Sequence, residues 1–221
     1  MNLFIDTANL DDIKDAFQTG TIQGVTTNPS LLSKEPKEDF ITHIKKIVEV
    51  CQEYGNAPLS VEVFAEKAED MYDQAVEIFD ELNYSNLNIK IPVGYEELKV
   101  IEKLAGDGIA VNCTCCFTAT QLEMAALAGA RYVSLFYNRL LDSGGDPVDV
   151  LRQVEHFIDQ NDLDCEIISG SIRSANDVSN AWAAGSHIVT AGMSVVKKMM
   201  EHPQTDLSVQ GFLSDFKEWL G

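Results

Sequence analysis

The sequence predicts an α/β protein: one (β/α)8 barrel of the TIM type spanning residues 1–221, with an additional C-terminal helix. Three observations carry this. Apolar strand-like segments alternate with amphipathic helical stretches along the whole chain, the pattern of a parallel sheet with crossover helices. The strand-like segments number eight, which is the number that closes a barrel. No Gly-x-Gly-x-x-Gly follows the first of them, so the competing doubly wound open sheet lacks its nucleotide-binding turn.

The elements follow in order. Strands are expected over Asn2 to Asp6, Ile22 to Thr26, Leu59 to Phe64, Leu87 to Ile91, Ile109 to Cys113, Tyr132 to Phe136, Glu166 to Gly170 and His187 to Thr190. Each is a short apolar run between turn signals. Helical periodicity covers Phe40 to Tyr54, closed by Gly55, and Ala68 to Leu82, closed by Asn83. It returns over Glu96 to Leu104, Ala119 to Ala128, Pro147 to Ile158 and Ala175 to Ala184, again stopped by glycine or asparagine. After the eighth strand come Ser194 to Glu201, Pro203, and a last amphipathic helix carrying Phe212, Leu213, Phe216, Trp219 and Leu220. This helix exceeds what the barrel needs. Its apolar face must cover either the bottom of its own barrel or a neighbouring subunit.

Composition narrows the function. With 45% hydrophobic residues the chain can bury one sizeable core, and no stretch is both long and apolar enough to span a bilayer. The opening Met-Asn-Leu-Phe-Ile-Asp reads as a strand rather than a signal peptide, which predicts a cytoplasmic protein. Five cysteines, three of them crowded at Cys113, Cys115 and Cys116 and read as holding no pair with zinc-ribbon or redox Cys-x-x-Cys spacing, are expected to be reduced core thiols. A net charge of −19 argues against nucleic acid and anionic membrane as partners. The four histidines are scattered without metal spacing, so no metal site is expected.

Lys90 lies inside the apolar run Leu87-Asn88-Ile89-Lys90-Ile91, where strict alternation points its side chain inward. Desolvation disfavours an ammonium, and a neutral amine can attack a ketone, so Schiff-base chemistry is the first expectation. Its company supports this. Asp6 shares parity with Phe4, and Glu62 shares parity with Ser60, so both carboxylates can face inward at the carboxyl ends of their strands. Asn112 and Thr114 alternate against Val111 and Cys113, and Asn28 closes the Thr26-Thr27-Asn28-Pro29 turn. Taken singly, each is more often a cap, a turn residue or a satisfied interior group. A second cluster, Ser134 with Arg139 and Ser171 with Arg173, follows the sixth and seventh strands, where barrel enzymes often bind phosphate. The competing reading is that the arginines neutralise surface acids.

These residues sit in motifs that resemble the transaldolase family, in the short-chain branch that also contains the fructose-6-phosphate aldolases. The motifs are Phe4-Ile5-Asp6-Thr7, Gly24-Val25-Thr26-Thr27-Asn28-Pro29-Ser30, Val61-Glu62-Val63, Ile89-Lys90-Ile91-Pro92, Val111-Asn112-Cys113-Thr114, Ala128 to Ser134 with Asn138-Arg139, and Ser171-Ile172-Arg173. The resemblance runs nearly end to end. It implies that Lys90 forms an imine with a ketose phosphate, that Asp6 is the acid/base of carbon–carbon cleavage, and that Glu62 and Thr114 position a water. Asn28, Asn112 and Ser134 would hold substrate hydroxyls, with Arg139, Ser171 and Arg173 on the phosphate. Leu135 stands where the family usually has proline, and the cysteines around Thr114 are also departures. Within the branch, aldolases resemble glutamine at position 62 and tyrosine at 136, whereas this chain has Glu62 and Phe136, the transaldolase pair. The resemblance thus implies transfer of a dihydroxyacetone unit from sedoheptulose 7-phosphate or fructose 6-phosphate to glyceraldehyde 3-phosphate or erythrose 4-phosphate. It implies no cofactor, a place in the pentose phosphate pathway and a homo-oligomer. The alternatives are a fructose-6-phosphate aldolase using free dihydroxyacetone, and a barrel that binds sugar phosphates without turnover.

Overall fold

In the computed structural model, which describes residues 1–221, eight parallel strands close into a barrel in chain order. They are β1 (Asn2–Asp6), β2 (Gly24–Thr26), β3 (Leu59–Glu62), β4 (Leu87–Pro92), β5 (Val111–Cys116), β6 (Tyr132–Phe136), β7 (Glu166–Gly170) and β8 (Ile188–Ala191). The helices in chain order are α1 (Leu10–Gln18), α2 (Pro29–Leu32), α3 (Phe40–Glu53), α4 (Ala68–Leu82), α5 (Glu97–Gly106) and α6 (Ala119–Leu127). They continue with α7 (Tyr137–Asp142), α8 (Pro147–Gln160), α9 (Ala175–Ala183), α10 (Met193–Lys198) and α11 (Pro203–Leu220).

Strand alternation sorts the core into two parts. Outward-facing residues such as Ile5, Val25, Leu59, Val61, Ile89, Ile91 and Val111 pack under the helices in one large cluster, all fully or almost fully buried. Each such side chain contributes about 1.5–3 kcal/mol through burial. Inside the barrel, Phe4, Tyr132, Ile168 and Ile188 form a separate apolar plug. Gly24 faces this plug. A Cβ there would stand 2.6 Å from the Phe4 ring, so the glycine makes room for the aromatic.

Several boundaries depart from expectation. β2 begins at Gly24 rather than Ile22, and β3 stops at Glu62 because the backbone N–H groups of Phe64 and Ala65 donate to the Gln74 side chain instead of continuing the ladder. β5 runs on to Cys116 across an irregularity between Cys113 and Cys116, with Cys115 at φ 61°. The extra residue lets Thr114 face the interior while both Cys113 and Cys116 face the helices.

The last helix does not cover its own barrel. Every residue of α11 is exposed, including Val209, Phe212, Leu213, Phe216 and Leu220 on one stripe, and Phe216 stacks on Trp219 at 5.7 Å. Of the two expected roles for this face, coverage of the barrel bottom is therefore ruled out.

Candidate active site

Inward-facing residues at the carboxyl ends of the strands enclose a cavity of about 510 Å³, open at its mouth. Nine of the eleven expected site residues line it: Asp6, Asn28, Lys90, Asn112, Thr114, Ser134, Phe136, Arg139 and Ser171. Glu62 and Arg173 do not, for different reasons.

Lys90 is 5% exposed, and its Nζ donates to the Thr27 carbonyl at 2.8 Å and to Glu62 Oε2 at 2.9 Å. An ammonium here is therefore met by a carboxylate. Parallel pairing sets Glu62 directly opposite Lys90, which fixes this contact through the backbone. Glu62 reaches Lys90 from the side, and it also lines an adjoining cavity with Phe40, His43 and Phe64.

Asp6 accepts a 2.7 Å hydrogen bond from the Thr26 hydroxyl. Thr26 has spent its only proton there, so in its 2.6 Å contact with Thr190 the latter must donate. Burial pushes the Asp6 carboxyl above the ordinary aspartate range, partly opposed by the Lys90 charge and the Thr26 bond. Thr26 and Thr190 are site residues that sequence reasoning missed. Parity with Gly24 and with Ile188 marks them as inward-facing, but threonine is so common in strands that its hydroxyl carries little signal.

On the other wall Ser134 donates to Asn112 Oδ1 at 2.6 Å, and Asn112 Nδ2 donates to Ser60 at 3.1 Å. Asn112 thus serves mainly to orient Ser134, whose oxygen lone pairs stay available. Thr114 Oγ1 is buried with no hydrogen-bond partner, an orphan that a substrate hydroxyl or a water would satisfy. Asn28 caps α2 by accepting from the Leu31 N–H at 3.1 Å, which leaves its amide donors for the cavity. The capping and binding roles are compatible.

Phe136 meets Phe117 edge to face at 5.7 Å, and the Arg139 guanidinium lies over its ring at 4.8 Å. Arg139 is thereby held at the mouth. Arg173 is engaged elsewhere, its fork donating to both oxygens of Asp142 at 2.9 and 2.6 Å. Ser171 stands in the turn after β7 at φ 59°.

The cysteines correct one expectation. Cys51, Cys113, Cys116 and Cys165 are buried free thiols, but Cys115 is partly exposed beside the site, close enough for the Glu62 and Lys90 charges to act on it. Cys113 and Cys116 also face each other, sulfur to sulfur at 3.8 Å, a spacing of three residues overlooked in the sequence. Burial pushes the Cys51 and Cys165 thiols up to about 12.

The chain matches the family model described as transaldolase/fructose-6-phosphate aldolase over residues 3–219. A probable transaldolase of Thermodesulfovibrio yellowstonii is 40% identical, with 99% of each chain covered. Probable transaldolases of Clostridium acetobutylicum (41% identical; 99% of this chain and 98% of the relative) and Lactiplantibacillus plantarum (40%; 98% and 97%) are similarly close. A closed eight-stranded barrel, a lysine paired with a carboxylate inside it, and a match across nearly the whole sequence agree: this chain belongs to the transaldolase/fructose-6-phosphate aldolase family.

Proposed function

We propose that the protein is a transaldolase working through a Lys90 Schiff base, carrying a dihydroxyacetone unit from sedoheptulose 7-phosphate or fructose 6-phosphate to glyceraldehyde 3-phosphate or erythrose 4-phosphate. The observation that carries this reading is the buried Lys90 nitrogen, 2.9 Å from Glu62 at the edge of a cavity lined by Asp6 and the orphaned Thr114 hydroxyl.

The chemistry follows from those positions. Glu62 is the nearest base to take a proton from Lys90, freeing the amine to attack the ketose carbonyl. The carbinolamine then loses water, with Glu62 returning the proton through a water held by Thr114. In the iminium so formed, the Asp6 carboxylate takes the proton of the C4 hydroxyl and the C3–C4 bond breaks. Its electrons pass into the imine, and an aldose phosphate leaves. The enamine on Lys90 waits for the acceptor aldehyde, whose new hydroxyl is protonated by Asp6, and hydrolysis releases the new ketose, three carbons longer than the acceptor. The imine is the electron sink, so the mechanism calls for no metal or organic cofactor.

Phe136 favours transfer over simple cleavage. The cavity wall there is an aromatic edge without a hydroxyl, so nothing from this position protonates the enamine to release free dihydroxyacetone. Fructose 6-phosphate should give glyceraldehyde 3-phosphate only when erythrose 4-phosphate is also supplied, as measured by coupled product assay. Efficient cleavage without acceptor would instead establish the aldolase. The double substitution Phe136→Tyr with Glu62→Gln is expected to invert the ratio of the two activities.

Arg139 supplies the phosphate charge within the cavity. Arg139→Ala is expected to weaken phosphorylated donors by about 1.5–3 kcal/mol, the value of a hydrogen bond to a charged group, and unphosphorylated ketoses far less. Equal losses on both classes in KM measurements would make Arg139 structural. The setting that fits these substrates is the cytoplasmic pentose phosphate pathway. The exposed apolar stripe of α11 supports a homo-oligomer, with a second copy of the chain covering it.

A further inference from the structure

Arg173 is the one expected phosphate ligand that is turned away from the cavity, and the reason is a single side chain. Asp142 ends α7, three residues after Arg139, and takes both forks of the Arg173 guanidinium. The same short helix therefore presents one arginine to the cavity and removes another from it.

The backbone around Arg173 is fixed, so only its side chain can change partners. The N–H groups of Arg173 and Ser174 donate to Asp177 Oδ2 at 3.1 and 2.8 Å, within the capping box that opens α9. Asn138 of α7 donates to the same oxygen at 2.9 Å, tying the two helices together. Buried Ile172 anchors the turn between cavity-lining Ser171 and Arg173. By contrast, the side chains of Arg173 and Asp142 are 54% and 57% exposed. An ion pair so exposed is weak, and a phosphate dianion offers the same fork-shaped guanidinium a doubly charged acceptor.

We propose that Asp142 is a specificity-setting positioning residue, an internal stand-in for phosphate that holds Arg173 at the rim until a sugar phosphate takes its place. The inference rests on the sugar-phosphate reading above. Its consequence is that Asp142 lowers the affinity for phosphorylated substrates while keeping the Arg173 fork preformed. Each substrate must first displace a carboxylate, and an unphosphorylated ketose cannot.

The test is a double-mutant cycle on the full-length protein. KM is measured for fructose 6-phosphate and for fructose, and inorganic phosphate serves as a competitive probe, in Asp142→Asn, Arg173→Ala and the double variant. Asp142→Asn is expected to lower the ratio of the fructose 6-phosphate KM to that of fructose by roughly two- to fivefold, the fold-change equivalent of a weak exposed ion pair. Inhibition by phosphate should tighten in parallel. Neither change should appear when Arg173 is already alanine. A rise in the ratio would mean that Asp142 orients Arg173 for phosphate and does not compete with it, overturning the proposal, as would no change. An equal fall in the Arg173→Ala background would assign the effect to the loss of one negative charge at the rim, also overturning it. If Arg173→Ala alone leaves the ratio untouched while Arg139→Ala raises it, the proposal fails with the sugar-phosphate reading intact. If neither arginine matters to the ratio, that reading itself fails.

Discussion

Borohydride added to the protein with fructose 6-phosphate will leave a covalent adduct on Lys90, because reduction converts a reversible imine into a stable secondary amine. Peptide mapping by mass spectrometry reads the position. Lys90→Met should abolish the adduct and reduce transfer by roughly four orders of magnitude or more, since the nucleophile of the covalent route is gone. The substitution exchanges one long side chain for another of similar reach, though it leaves the Glu62 carboxylate and the Thr27 carbonyl without their 2.9 and 2.8 Å partner. Some loss of thermal stability should therefore accompany the loss of activity. Chelators should change neither adduct nor rate. A label mapped to Lys34 or another exposed lysine, or full activity in Lys90→Met, would remove the mechanism.

Asp6→Asn is expected to separate activity from stability. The amide can still accept the 2.7 Å bond from Thr26, but it cannot take the proton of the substrate hydroxyl, so turnover should fall by roughly 10²–10⁴-fold. Stability should move the other way. The folded-state carboxyl has its pKa raised above 3.8, chiefly by burial, so the folded protein holds that proton more tightly than the unfolded chain does. Stability is therefore lost as pH rises from the unfolded value through the folded one, and the carboxylate remains a net burden at neutral pH. Removing it should raise the thermal midpoint at pH 7, with the gain shrinking on acidification and gone below about pH 3.8, where both states carry the proton. A lowered midpoint at neutral pH would show that Asp6 holds the barrel together. With Asp6 as the base, the same shift is expected to put the acid limb of the rate profile above the ordinary aspartate range.

Much of this site was legible before the fold was known. Parity alone put Asp6, Glu62, Lys90, Asn112 and Thr114 on the inner face, because a strand's two-residue period leaves no other choice once the apolar positions are assigned to the helix layer; Ser134, read as following the sixth strand, lies within β6. The eight strands were legible for the same reason. The omissions share a different cause. α7 begins directly after β6 with no side-chain cap at Phe136, so no local signal separates strand from helix. The irregularity that carries β5 to Cys116 depends on the left-handed Cys115 backbone, which nothing in Val111-Asn112-Cys113-Thr114-Cys115-Cys116 announces. The diversion of Arg173 depends on an aspartate 31 residues earlier in the chain, a proximity that only the closed barrel creates. Local rules read what the backbone dictates, and they miss what two distant loops decide together.

α11 divides the chain into two kinds of information. No residue from 203 to 220 is buried, whereas the core ends with Val195 on α10. Selection on catalysis acts through the strands and the turns that follow them, and it cannot see the tail directly. If a second copy of the chain covers this stripe, as proposed above, the tail answers to a different pressure, the company the molecule keeps. Related chains could therefore exchange or lose such a tail and change their association without rewriting a single catalytic strand.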